Sequence, residues 1–322
     1  MAESKPIAVL AALGANLGIA ATKFAAFLIT GSSSLLAESM HSFADTGNQA
    51  LLLIGRRRAR RAETMEHPFG FGGERYVYGF LVAVVLFTAG GAFSLYEGWQ
   101  KVAHPHDVRN PLVAFIILGV AVVLEGFSLR TAVHESNRVR GRRSLVSFIR
   151  RTKAPELPVV LIEDMAALIG LAFAVAGVTA AVITNDGVWD GVGSLAIGLL
   201  LGGFAVVLAV EMKSLLIGES ASADTQRKIV TALEEGPEIE CVIHLRTLHV
   251  GPDSLLVAAK IAVRQDETAA EIARGIDAAE QRVRRAVPIA ELIYLEPDLY
   301  NPYKADATDP AMRSVHPTAE DL

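Results

Sequence analysis

Ser34-Leu35-Leu36-Ala37-Glu38-Ser39-Met40-His41-Ser42-Phe43-Ala44-Asp45-Thr46-Gly47-Asn48-Gln49 is an apolar segment broken by polar residues at a fixed rhythm. Coiled as a helix, it puts Ser34, Glu38, His41, Asp45, Asn48 and Gln49 on one face, because they recur at steps of three and four. Leu, Ala, Phe and Met fill the other face, and the apolar run continues to Ile54. In a bilayer such a polar face must point into protein or water. An Asp at mid-depth costs about 2.5–3.5 kcal/mol on insertion scales. Imidazole and carboxylate one turn apart, His41 and Asp45, can share one divalent metal ion.

The neighbouring sequence supplies the bilayer context. About 20 apolar residues cross about 30 Å of hydrocarbon. Six stretches qualify: Ile7–Ile29, Ser33–Ile54, Val77–Trp99, Pro111–Val133, Leu157–Thr184 and Val188–Ile217. The loop after the second holds Arg56, Arg57, Arg58, Arg60, Arg61 and Arg75. The loop after the fourth holds Arg138, Arg140, Arg142, Arg143, Arg150, Arg151 and Lys153. The other connections are nearly free of base, so positive-inside bias predicts both arginine-rich loops, and both chain ends, in the cytoplasm. The start, Met1-Ala2-Glu3-Ser4-Lys5-Pro6, lacks the basic region of a cleavable leader, so the first apolar segment is expected to be retained.

Beyond Ile217 the composition turns soluble. Asp224–Glu235 and Thr268–Val287 have helical spacing, and Cys241–Val250, Leu255–Val263 and Glu291–Glu296 read as strands. Gly251-Pro252-Asp253-Ser254 is a turn between the first two strands. The expected organisation is a six-helix transmembrane domain over 1–218, a cytoplasmic α-β-β-α-β domain over 219–300 and a disordered tail over 301–322. The mild net charge of −5 gives no reason to expect a nucleic-acid partner. The single Cys241 excludes an intrachain disulfide and a thiolate cage.

Further polar residues lie within the apolar segments. Glu163-Asp164 interrupts the fifth segment, and the expectation is a buried site shared with His41 and Asp45. Three or four nitrogen and oxygen ligands suit tetrahedral zinc; carboxylate-rich sets also suit manganese, iron or cobalt. Glu125 in the fourth segment is read either as a proton relay or as a partner of Arg130. Asn16 in the first is a ligand-supporting group or a link between helices. Asp186 and Asp190, flanking Trp189, are read as helix caps. Metal and proton compete for imidazole and carboxylate, so the set permits metal–proton exchange. An intramembrane enzyme finds no support: there is no His-Glu-x-x-His, and Gly218-Glu219-Ser220-Ala221-Ser222 lacks the closing glycine of a nucleophile elbow.

His41-x-x-x-Asp45, the loop His67-Pro68-Phe69-Gly70, the six segments and the α-β-β-α-β tail together resemble the cation diffusion facilitator family over residues 7–298. Ala37-Glu38-Ser39-Met40-His41-Ser42, Leu124-Glu125-Gly126 and Leu161-Ile162-Glu163-Asp164-Met165-Ala166-Ala167 are similar to its zinc transporter 9-like branch. The resemblance implies a homodimer, a ferredoxin-like cytoplasmic domain, and export of a divalent cation, zinc foremost, in exchange for protons. It implies no prosthetic group. It also implies a transport site of His41, Asp45 and Asp164. The residue reading adds Glu163 as a further ligand and Glu38, Asn16, Glu125 and His67 as accessories. A prokaryotic plasma membrane is the expected location, with a mitochondrial membrane as the alternative.

Three positions depart from the family's pattern. Val160 stands one turn before Asp164, where a second ligand is usual; either Glu163 replaces it or water completes the coordination. Phe71 replaces a histidine in the loop. Ile243 and Tyr294 stand where some members have histidines, so no binuclear zinc cluster is expected in the soluble domain. The missing ligand at Val160 motivates the alternative of a non-transporting regulatory subunit.

Overall fold

A computed structural model describes residues 6–141, 144–145, 148–149 and 152–300, with 6–13 and 15 as backbone only. Arg142, Arg143, Arg150, Arg151 and the 301–322 tail of the sequence reading lie outside the described residues. The chain divides into two compact units, 1–58 with 74–213, and 59–73 with 214–322.

The first unit is built of long helices: α1 (Pro6–Thr30), α2 (Ser33–Ala59), α3 (Glu74–Ala103), α4 (Pro111–Arg140), α5 (Glu156–Thr184) and α6 (Val188–Ile217). Among the described residues α3, α4, α5 and α6 are long and apolar enough to cross a membrane, and Asn16–Thr30 of α1 forms a shorter apolar helix. The α2 helix has 27 residues, or about 40 Å at 1.5 Å per residue, and owes its lower hydropathy to its polar face. That face is turned inward: Ser34, Glu38, His41 and Asn48 are buried. The chain reverses between α1 and α2 at Gly31, whose φ of +65° suits glycine, and Gly31 N donates to Phe27 O.

Two kinds of packing hold this unit. Near the short loops an apolar core gathers Leu35, Ala37, Leu118, Leu171, Val178 and Ile197. Helices α3 and α6 instead meet through glycine. A Cβ on Gly98 would stand 2.7 Å from Leu195 N, and one on Gly198 would stand 2.7 Å from Leu95 N. Small residues permit this approach where no hydrophobic effect drives helices together in lipid. Beside the contact, α3 widens into a π-helical segment over Leu86–Ala92. At the arginine-loop end, Arg75 of α3 grips Glu156 of α5 with two bonds, Nε to Oε1 at 2.6 Å and Nη2 to Oε2 at 2.8 Å.

Asp190 has a different role from the one its position suggests. It lies in the first turn of α6, yet its carboxylate accepts from the N–H groups of Ser33 and Ser34 at 2.7 and 3.3 Å and from Ser32 Oγ at 2.8 Å. It therefore caps α2 from 157 residues along the chain, and Lys101 Nζ balances it at 3.7 Å. Asp186 does cap its own helix, accepting from Val188 N.

The second unit is ferredoxin-like. It contains α7 (Ala223–Glu234), β1 (Cys241–Gly251), β2 (Ser254–Ala262), α8 (Ala269–Ala286) and β3 (Leu292–Asp298). The sheet order is β1-β2-β3, with β1–β2 antiparallel and β2–β3 parallel. A parallel partner requires a crossover, which α8 provides. The alternating residues Leu255, Val257, Ala259 and Ile261 of β2 enter a core with Ile229, Leu233, Leu245 and Val283. Helix α7 begins on a Ser222 cap and α8 on a Thr268–Glu271 capping box. The loop 59–73 joins this unit: Gly72 lies against Gly251, where a Cβ would stand 2.9 Å from the Gly251 Cα.

Candidate functional site

The polar face of α2 meets α1, α4 and α5 around a cavity of about 50 Å³. At about 10–15 Å³ per occupant, this holds a few water-sized groups. Asn16 and Ile19 line it from α1, Ser42, Asp45 and Gln49 from α2, Leu124, Glu125 and Ser128 from α4, and Glu163 and Asp164 from α5. Four carboxylates from three helices thus converge on one small space.

Each is held differently. Asp164 Oδ2 accepts from Ser128 Oγ at 3.0 Å, and Glu163 Oε1 accepts from Asn48 Nδ2 at 2.7 Å. Asp45 Oδ1 lies 3.4 Å from Nδ1 of the fully buried His41, one helical turn away. His41 Nε2 has no hydrogen bond. Asn16 Nδ2 donates to Gln49 Oε1 at 3.0 Å, linking α1 to α2 at the cavity wall. Among the described residues no three His, Cys, Asp or Glu side chains are already drawn together as a metal-binding group. A cation entering here would have to gather its ligands by side-chain rotation.

The sequence-predicted residues fall into three groups. Asp45, Glu163, Asp164, Glu125 and Asn16 share the cavity wall, and His41 is joined to it through Asp45. Glu38 is completely buried, outside the lining, and its Oε1 faces Gly170 of α5. His67 belongs to the exposed 59–73 loop, edge-on to Phe71 with ring centroids 4.6 Å apart. Val160 packs against the apolar cluster of Ala132, Phe148 and Leu161.

One charged residue of the site was not read from the sequence. Lys23 of α1 is buried, and its Nζ lies 2.8 Å from Ser42 Oγ, 3.3 Å from Glu38 Oε2 and 3.6 Å from Glu125 Oε1. Glu125 therefore has Lys23 beside it, whereas the sequence reading offered Arg130. A signal was available: Asn16 and Lys23 are seven residues apart, two turns on one helix face, and Asn16 was already a candidate.

A bundle of membrane-spanning helices around buried carboxylates, carrying a ferredoxin-like soluble unit, defines a polytopic membrane protein with an ion-attracting cavity. The cation efflux transmembrane domain, as a family, matches residues 9–217, the whole helical unit including every residue that lines the cavity. The chain belongs to the cation efflux family, the cation diffusion facilitators, and its likeness is to the zinc transporter 9-like branch. It is 32% identical over 242 residues to the Xenopus laevis protein named proton-coupled zinc antiporter SLC30A9, mitochondrial, covering 74% of this chain and 43% of that protein. It is 30% identical over 256 residues to metal tolerance protein C4 of Arabidopsis thaliana, covering 79% of this chain and 56% of the other. The chain thus spans about half the length of these relatives. A solved variant of the MamM C-terminal domain matches 24% of this chain and 93% of its own at 27% identity, with a TM-score of 0.23.

Proposed function

We propose that this protein is a secondary transporter that exports a divalent metal cation, zinc foremost, in exchange for protons. The observation that carries the reading is the meeting of Asp45 from α2 and Asp164 from α5 on one buried cavity within the family's transmembrane domain. In this reading His41, Asp45 and Asp164 bind the cation, and Glu163 supplies the donor that Val160 does not. The names of the SLC30A9 relatives, which include zinc and proton coupling, support the choice of cargo and of counter-ion.

Exchange follows from the donor chemistry. Carboxylates and imidazole bind either a proton or a metal, so protons arriving from one side displace metal toward that side. The arginine-rich loops are proposed to face the cytoplasm, together with both chain ends. The proposed membrane is a prokaryotic plasma membrane; the mitochondrial names among the relatives support a mitochondrial membrane as the alternative. A homodimer is proposed, because the soluble unit has a small core of its own and gains from a second copy.

Flux in reconstituted vesicles tests the reading. Zinc, manganese, cobalt and iron(II) are offered separately, with and without a pH gradient, to the parent and to Asp45→Ala and Asp164→Ala. Gradient-dependent zinc flux that both variants abolish is expected. Absence of flux and of metal binding in the parent would overturn the reading in favour of a regulatory subunit.

A further inference from the structure

Lys23 places an ammonium group inside the bundle next to a cavity that, on the function proposed above, takes a dication. Among the described residues its ammonium's partners are Ser42 Oγ and the two carboxylates of Glu38 and Glu125. Both helices that face it therefore offer it an acid. Glu38 is buried completely and sits between Lys23 and Gly170, where the absence of a Cβ makes room for its Oε1. Glu38, Ser42 and Asp45 lie on one stripe of α2, so the lysine binds at the first two of these positions and stops short of the third.

This arrangement sorts the five acids of the region into two sets. Glu38 and Glu125 lie 3.3 and 3.6 Å from the tethered ammonium. Asp45, Glu163 and Asp164 make their close polar contacts instead with His41, Asn48 and Ser128. A metal entering between Asp45 and Asp164 meets a set of one imidazole and three carboxylates, of the size and donor type of a four-coordinate zinc site. Were Glu125, which lines the cavity, and Glu38, one helical turn from the lining Ser42, free to turn toward it, the site would present an oxygen-rich set of higher coordination number, the kind that manganese prefers.

We propose that Lys23 is a specificity-determining residue: its ammonium holds Glu38 and Glu125 away from the cargo and so keeps the site small enough to favour zinc over manganese. It acts as a positioning residue, through the two glutamates, and does not touch the metal.

The test is equilibrium binding of zinc and manganese to the purified full-length protein in lipid nanodiscs, each alone and in competition. Lys23→Gln is expected to lower the zinc-to-manganese affinity ratio by tenfold or more, chiefly through tighter manganese binding. Lys23→Arg keeps the cation and is expected to keep the ratio within about threefold. Lys23→Gln with Glu38→Gln removes the buried pair together, guarding against misfolding by an unpaired glutamate. It still frees Glu125, so its ratio is expected to fall as well. Adding Glu125→Gln to that pair is expected to restore the parent ratio. A ratio unchanged both in Lys23→Gln and in Lys23→Gln with Glu38→Gln, or an equal loss for both metals, would overturn the inference and leave the transporter reading standing. A parent that binds neither metal would overturn both.

Discussion

Asn48 of α2 donates from Nδ2 to Oε1 of Glu163 of α5 at 2.7 Å, and both side chains are buried. The bond crosses between the two helices that bring Asp45 and Asp164 to the cavity, so it both braces the wall and turns one carboxylate oxygen of Glu163 toward α2. A carboxylate that loses its donor inside a bundle keeps its desolvation cost. Asn48→Ala is therefore expected to destabilise the helical unit by roughly 1–3 kcal/mol. Asn48→Asp, which would face one carboxylate with another, is expected to cost more at neutral pH. Thermal unfolding in detergent, read against Asn48→Gln as a variant that retains the amide, checks this order. Equal stability of Asn48→Ala and the parent would mean that the bond contributes nothing.

The α3–α6 contact makes a second, sharper demand. At Gly98 an added Cβ would meet Leu195 N at 2.7 Å and Gly191 O at 2.8 Å, both backbone atoms that cannot rotate away. Gly98→Ala is expected to push the helices apart and cost about 1–3 kcal/mol, as overpacking does. Gly119 and Gly126 of α4 have nothing within 4 Å of such a Cβ, and Ala at either is expected to be tolerated. Comparing expression and unfolding temperature of the three variants separates a specific helix contact from a general need for glycine.

How far the sequence could be read depended on whether the signal was local. The α2 face was legible because its polar residues recur within one helix, and the hairpin turn at Gly251-Pro252-Asp253-Ser254 because turn chemistry is short-range. Lys23 was missed because a single lysine in an apolar run can as easily extend along the helix to the interface, and only the packed partners Glu38 and Glu125 fix it inward. Asp190 was seen as a cap but attributed to its own helix; the N-terminus it satisfies lies far away in sequence. The 59–73 loop, read as the arginine-rich loop after the second span, groups with the soluble unit because Gly72 and Gly251 allow backbone to touch backbone. In each miss the deciding contact is non-local; only for Lys23, two turns from Asn16 on one helix face, does spacing along the chain give a hint of it.

Asp190 offers a third prediction. Its carboxylate satisfies the first N–H groups of α2 and pairs with Lys101, all of them buried. Asp190→Ala leaves those donors and the Lys101 charge uncompensated, and breaking a buried pair from one side costs about 3–5 kcal/mol. Asp190→Asn keeps an acceptor for the N–H groups and is expected to lose less. Lys101→Met in the Asp190→Asn background removes the stranded charge and is expected to recover part of the loss. Unfolding measured across this set would sink the capping account if Asp190→Ala and Asp190→Asn fell equally.

The soluble unit supplies a prediction about pH. Thr268 and Glu271 close a capping box on α8: Thr268 N donates to Glu271 Oε2 at 2.8 Å, and Glu271 N donates to Thr268 Oγ1 at 3.4 Å. The backbone N–H of Thr268, and then its hydroxyl, hold the Glu271 carboxyl below its ordinary value of 4.5. A folded-state value below the unfolded one means that the unfolded chain takes up the proton first. The stabilisation is therefore full above pH 4.5 and is lost as pH falls through the lower, folded value. Amide exchange over the first turn of α8, taken as the difference between the parent and Glu271→Gln at each pH, should show extra protection near neutrality that fades below about pH 4.5. Thr268→Ala is expected to destabilise the same turn by about 1 kcal/mol at pH 7. A protection difference that stayed constant from pH 7 to pH 3 would show that the Glu271 charge plays no part in holding the helix start.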